Sequence, residues 1–351
     1  MSPDDQSMAG AFRFQIKVCE DSAAPFTADL LRALLDDFEA GGPWRALLGG
    51  WPVDPVMDVV ALRAAGALHR LALKGAQPFK TVFDVLDRDR DTLRQVVRTA
   101  GERPEVKGWL ENPPQTNEVG RAAVFLGGFF EVARAHGRPL RLLEIGASGG
   151  LNLLFDRYGY RLGETVWGDA ASPVRLTPEW AGPSPRPVPL QVSSRRGCDQ
   201  LPVDLADEEA RLRLLSYVWV DQTDRMVRVR GALQIAKAAP PQVDRANAAD
   251  WLEAQLTDMP AGTTTVLYHS FAWLYFDPRT KDRVLAAMAA AGARADRDRG
   301  LAWLSFESDD STENPRLDLT LWPGGRKRRL AKAHPHGRWV KWRGQRPLAS
   351  S

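Results

Sequence analysis

The stretch Arg141-Leu-Leu-Glu-Ile-Gly-Ala-Ser-Gly-Gly-Leu-Asn-Leu-Leu154 constrains the fold more than any other part of this chain. Arg141 to Ile145 reads as a buried strand that ends on a carboxylate, Glu144. Gly146 to Gly150 reads as a glycine-rich turn, and Leu151 to Tyr158 as the start of a helix. Glycines let a ligand come close to the backbone, and the first amides of a helix lack partners inside it. A strand, a glycine turn and a helix N-terminus therefore predict a pocket for a nucleotide or another anion.

Spacing separates the chemistries that use such a turn. A phosphate-binding loop needs lysine and a hydroxyl residue after its last glycine, and Leu151 and Asn152 stand there. The dinucleotide pattern G-x-G-x-x-G needs glycine at 146, 148 and 151, but 148 is Ser and 151 is Leu. The nucleophile elbow G-x-S-x-G is matched letter for letter by Gly146, Ser148 and Gly150.

The 351 residues suffice for one large domain or two ordinary ones. A hydrophobic fraction of 44% and a charged fraction of 26% are those of a globular protein. The net charge of +3 argues neither for nor against a nucleic-acid partner. Two distant cysteines, Cys19 and Cys198, form neither a disulfide framework nor a zinc site. The polar start, Met1 to Gly10, is unlike a signal peptide, and no apolar run reaches membrane-spanning length. A cytoplasmic protein without membrane contact is expected.

Phe26, Leu30, Leu31, Leu34, Leu35 and Phe38 recur at helical spacing. Val59 to Leu73, Val82 to Leu86 and Leu93 to Val97 read as further helices, and no alternating strand precedes residue 140. Residues 1–112 are thus expected to be an all-helical cap domain. After the break at Asn112-Pro-Pro, Thr116 or Asn117 is placed to cap a helix running to about Ala135, which Gly137 closes. Residues 159–190 form a Gly-, Pro- and Trp-rich insertion, followed by a strand at Leu190–Val192. A long helical stretch from Asp207 to Lys237 breaks near Asp221. A short strand lies around Val243, a helix at Asp250–Leu256, a strand at Thr263–Tyr268, a helix at Arg279–Ala291 and a strand at Leu301–Glu307. Leu317–Trp322 and Arg329–Trp342 form a closing hairpin around Gly324-Gly325. Alternating strands and helices predict an α/β domain over 113–351: a doubly wound, Rossmann-like, mostly parallel sheet with a terminal antiparallel hairpin.

The turn resembles the first motif of class I S-adenosylmethionine-dependent methyltransferases, an apolar pair, an acid and three spaced glycines. Glu144, Gly146 and Gly150 fall in register with it, while Ser148 replaces the middle glycine. The element order resembles that fold over about 115 to 343. The resemblance implies S-adenosylmethionine as cofactor, held by Glu144, Gly146, Ser148, Gly150 and Asn152 and by an acid on the ribose hydroxyls. Gly197-Cys-Asp199-Gln-Leu-Pro202 and Gly168-Asp169-Ala-Ala-Ser-Pro173 both offer that acid; Asp199 keeps the next strand and helix in order. Asp250 is implied near the adenine. Tyr268-His269-Ser270-Phe271 ends the fourth strand, where that family places substrate-facing residues. The whole chain also resembles the bacterial domain-of-unknown-function family twenty-three thirty-two. The blocks that carry it are Gln115–Arg121, Leu143–Asn152, Arg196–Asp199, Leu214–Trp219, Tyr268–Ser270 and Ala333–Gly337.

Each candidate has a plainer reading. Glycine turns often only join a strand to a helix, and Asp169 and Asp199 also suit turns or caps. Gln115, Thr116, Asn117, Glu118 and Arg121 serve equally as a helix cap or as a substrate-pocket wall. His269 and Ser270, with Trp273 and Tyr275 nearby, give either a hydrogen-bonded loop histidine or a proton acceptor beside substrate. His334 and His336 lack further metal ligands, and His69 suits a core. The tail cations Arg326, Lys327, Arg328, Arg329, Lys332, Arg338, Lys341, Arg343 and Arg346, with Trp339 and Trp342, suit nucleic acid. Alternation over Leu330–Trp342 puts them on a solvated face instead, and a small-molecule substrate is favoured. The expected function is S-adenosylmethionine-dependent methyl transfer to an unnamed acceptor. Two alternatives stand: a serine hydrolase with Ser148, Asp250 and His269 or His334, and a non-catalytic ligand-binding member of the fold.

Overall fold

The computed structural model describes residues 3–111, 113–308 and 314–343, with side chains from Ser7 onward. Asn112 and the tail cation Arg346 lie outside the described residues. In chain order the helices α1 (Pro3–Asp21), α2 (Pro25–Glu39), α3 (Pro43–Leu48), α4 (Val60–Leu73), α5 (Phe79–Val85), α6 (Arg90–Gly101) and α7 (Pro104–Leu110) come first. A 3-10 turn, Val119–Arg121, leads into α8 (Ala122–His136) and strand β1 (Leu140–Ile145). After a second 3-10 turn, Leu151–Arg157, follow β2 (Gly159–Leu162), β3 (Thr165–Gly168), β4 (Arg175–Leu176), β5 (Glu179–Ala181) and β6 (Val192–Asp199). The remainder runs α9 (Glu208–Ser216), α10 (Thr223–Ala238), β7 (Val243–Arg245), α11 (Ala248–Thr257) and β8 (Thr263–Ser270). It ends with α12 (Pro278–Arg294), β9 (Arg299–Glu307), β10 (Arg316–Trp322), β11 (Arg326–Ala333) and β12 (Trp339–Trp342).

The chain divides into two compact units. The first joins the residues up to Thr116 with Asp207–Val227. Its core is built on the apolar stripe of α2, where Phe26, Leu30, Leu31, Leu34, Leu35 and Phe38 are all buried. Residue Ala24 gives α2 no side-chain cap. The free amides of Phe26 and Thr27 donate instead to Asp221, at 2.8 and 3.0 Å. Distant residues thus satisfy a helix end that local sequence leaves bare.

The second unit, Asn117–Ala206 with Arg228–Ser351, holds a nine-stranded sheet in the order β5-β12-β11-β10-β9-β8-β1-β6-β7. The neighbours β7, β6, β1, β8 and β9 are all parallel. Strands β10 and β11 continue antiparallel from β9. Strand order reverses at β1 within the parallel set: β6 lies on one side of it and the later β8 on the other. One face packs Leu143, Ile145, Leu267 and Leu301 with Trp251 and Leu252 of α11 and Val284 and Met288 of α12. The other packs Tyr268 against Phe125 and Phe129 of α8, with ring centroids 5.2 and 5.4 Å apart.

Three expectations need correction, and the segment 159–190 gains detail. The helix expected from Leu151 is a seven-residue 3-10 turn, which Tyr158 ends in extended backbone. The segment 159–190 carries strands: β3-β2-β4 make a small sheet, and β5 joins the edge of the large one. The strand expected at Leu190–Val192 starts later and runs to Asp199. The second limb of the closing hairpin is two strands, because His334–Gly337 turns back on itself through Gly337 N–H to His334 O.

Candidate functional site

The carboxyl ends of β1, β6 and β8 meet around the glycine turn. Gly146 has φ +69°, and a Cβ there would lie 2.4 Å from the Ala272 Cβ. Gly150 has φ +75°, and a Cβ would lie 2.8 Å from Val243 Cγ2. Glycine is required at both, by backbone conformation and by close approach of the chain itself. Ser148 has φ +54°, so serine holds the left-handed conformation that glycine would take without strain.

The expected row of free helix amides is not what the turn presents. The Ser148 amide donates to Asp199 Oδ2 at 2.9 Å. The Leu151 amide donates to Asn117 Oδ1 at 2.8 Å, and that of Gly150 to Ala147 O. A seven-residue 3-10 turn also lacks the length to build an α-helical dipole. What gathers here instead is acceptors. Asp199 closes β6, and its other oxygen takes the Leu201 amide at 2.9 Å. Asn152 is buried, and its Oδ1 meets no partner among the described residues.

Glu144 is buried at the end of β1 and accepts from the Tyr268 hydroxyl at 3.2 Å. Burial pushes its carboxyl up to about 8, against the Tyr268 hydrogen bond and the Arg121 charge, which pull it down. Burial and the Glu144 charge together hold the Tyr268 hydroxyl well above its ordinary value. Arg121 donates to the Ser270 carbonyl and hydroxyl, both at 3.3 Å, and to Pro335 O at 3.0 Å. Its guanidinium lies 4.4 Å over the Phe271 ring. Ser270 is therefore an anchored side chain beside the turn.

His269 is fully buried on the opposite face of β8. Its Nδ1 lies 2.7 Å from Glu307 Oε1, at the end of β9. Trp273 stacks on its ring at 5.5 Å, in the 3-10 turn Trp273–Tyr275, while Tyr275 is 75% exposed. Nothing in the sequence singled out Glu307. The available signal was its position, an acid ending an apolar strand as Glu144 does. The stretch Gln115–Arg121 does not act as one wall. Gln115 and Thr116 group with the first unit, Asn117 to Arg121 with the second. The cap of the turn at 119 is Glu118, not Thr116 or Asn117, through the Gly120 amide at 3.0 Å. The other Glu118 oxygen lies 3.2 Å from His336 Nδ1.

Two acids lie apart from the turn. Asp169 sits in an exposed turn and accepts from the Ala171 amide at 2.8 Å. Asp250 pairs with Arg283 at 2.7 Å, its side chain 64% exposed. Neither Asp250 nor Ser148 bonds to His269, whose Nε2 meets no partner among the described residues. The tail cations are partly engaged within the chain, Arg328 with Glu131 at 2.6 Å and Lys327 with Asp318 at 3.3 Å. Among the described residues no group of three or more His, Cys, Asp or Glu side chains is placed to hold a metal ion. No helix there is long and apolar enough to cross a membrane. Both cysteines are unbridged and buried.

No curated protein and no solved structure matches the chain. A family model described as "Uncharacterized protein conserved in bacteria (DUF2332)" matches residues 9–342, and the chain belongs to that family.

Proposed function

We propose that the second unit is a Rossmann-like, doubly wound domain that binds S-adenosylmethionine and transfers its methyl group to a small molecule. The observation that carries this reading is the acceptor-rich edge where strand order reverses. In open parallel sheets, ligands bind outside the carboxyl ends of the strands at such a reversal. Here the reversal at β1 brings Asp199 and Asn152 Oδ1, which meets no partner among the described residues, beside the buried Glu144 carboxyl, while the amides of Ser148 and Leu151 are taken by side chains. A carboxylate and an amide oxygen here, with two of the turn's amides already taken by side chains, suit a ligand with hydroxyls and positive charge better than a phosphate. A sulfonium nucleoside has that character.

Asp199 would take the ribose hydroxyls, exchanging its Ser148 contact for a two-oxygen one. Asn152 would take a donor of the ligand, and Gly146 and Gly150 keep the turn tight. When bound, the cofactor supplies an electrophilic methyl group; the chain supplies position and exclusion of water. Incubating the full chain with methyl-labelled donor and fractionated small metabolites tests the reading. Label moving into a metabolite is expected, and Asp199→Ala should lower the rate at least ~tenfold. No transfer to any fraction, with the donor bound, would make this a binding member of the fold.

The strained φ of +54° at Ser148 also suits a nucleophile elbow, where the serine sits on a sharp turn. Its histidine is not joined to it in this structure, so the hydrolase reading ranks second. Labelling by a fluorophosphonate probe, lost in Ser148→Ala, would reverse that order.

A further inference from the structure

Glu307 does three things with one oxygen. Its Oε1 accepts from His269 Nδ1 at 2.7 Å and from the amides of Ala272 and Trp273 at 3.1 and 3.2 Å. The carboxylate thereby fixes the imidazole proton on Nδ1 and leaves the lone pair on Nε2. That Nε2 is buried and meets no partner among the described residues, and the same is true of Glu307 Oε2. Two buried acceptors without a partner among the described residues cost stability. A bound donor group removes that cost.

The surroundings narrow the donor. The carboxylate gives the pair a negative charge, so a second acceptor or an anion is repelled. Trp273 stacks over His269 at 5.5 Å, Trp303 lies at 5.9 Å, and the two indoles are 5.8 Å apart. Indole faces attract cations. Trp303 Nε1, also buried without a partner among the described residues, adds one donor, which an oxygen on the ligand would meet. The segment over His269 is held by the two amide bonds to Glu307, and it bends at Phe271, a non-glycine residue at φ +51°. Leu274 and Tyr275 stand exposed on it, at 49% and 75%.

We propose that His269 Nε2, Glu307 Oε2 and Trp303 Nε1 bind an amine with a neighbouring oxygen, an amino alcohol or amino amide. Its role as the methyl acceptor rests on the methyl-transfer reading; its binding does not. In that role the bound ammonium passes one proton to His269 Nε2. The freed nitrogen lone pair would then be open to the methyl group that a bound sulfonium cofactor would supply, the electrons of the S–C bond staying on its sulfur. Glu307 acts as a positioning residue, through the imidazole.

The test is long-range proton–nitrogen spectroscopy on the full chain with ¹⁵N-labelled histidine. The His269 signals are assigned with His269→Gln. Ethanolamine and glycinamide are titrated without any methyl donor, with ethylene glycol and acetate as controls. The expected result is a saturable shift of Nε2 with both amines and none with the controls, and amine binding weakened at least ~tenfold in Glu307→Gln. No response of Nε2 to either amine at millimolar concentration overturns the proposal, as does an equal response to ethylene glycol. S-adenosylmethionine binding measured on the same samples separates the two claims. Amine binding without donor binding sinks only the methyl-transfer reading; donor binding without an amine response sinks only this one.

Discussion

A carboxyl buried as deeply as Glu144 folds with its proton attached. Its folded value of about 8 lies above the ordinary 4.5, so the folded state binds more protons across that window. Stability is fully present below the lower value and falls as pH rises through the upper one. The wild type should therefore lose on the order of several kcal/mol between about pH 5 and pH 9, a loss that Glu144→Gln should largely remove. Urea unfolding of both proteins across that range checks it, and equal pH profiles would contradict it. Gly146→Ala should destabilise by about 3 kcal/mol, from the left-handed backbone and the clash with Ala272, read as a lower denaturant midpoint. At this scale the sequence was informative where type and place coincide. An acid at the end of an apolar strand marked Glu144, and a Gly-x-Asp pattern marked Asp199. It was silent on Glu307, because the residues that give that carboxylate meaning, His269 and the amides of Ala272 and Trp273, are 34 to 38 positions away.

Short elements were the least legible. Leu151, Leu153, Leu154 and Phe155 have the composition of a helix start and are all buried, yet they form a 3-10 turn. The partners that shape it, Asn117 and the strand at Gly159, cannot be seen from local spacing. Long amphipathic helices such as α2 were plain, since six apolar residues on one stripe specify both helix and core. Caps follow local rules more faithfully. Asn247 accepts from the Ala249 and Asp250 amides at the start of α11, so Asn247→Ala should cost about 1 kcal/mol in thermal or urea unfolding. The segment over His269 depends on one carboxylate. Glu307→Ala should speed hydrogen exchange at the Ala272 and Trp273 amides while α12 exchange stays unchanged. Unchanged protection at both amides would show that the segment is held by other contacts.

For the whole molecule, alternating strands and helices made a parallel sheet legible, but not its order. Which strand neighbours β1 depends on crossovers that no single segment encodes, and the acceptor-rich edge exists only because β6 and β8 flank β1. The return of Asp207–Val227 to the first unit is equally hidden: the apolar residues Leu214, Tyr217 and Val218 bear no mark of the core they enter. The central claim is that this edge holds a sulfonium nucleoside. Isothermal titration of the full chain with S-adenosylmethionine tests it most directly. Saturable binding of one molecule per chain is expected, weakened at least ~tenfold by Asp199→Ala. Absence of binding to the wild type at millimolar ligand would contradict it.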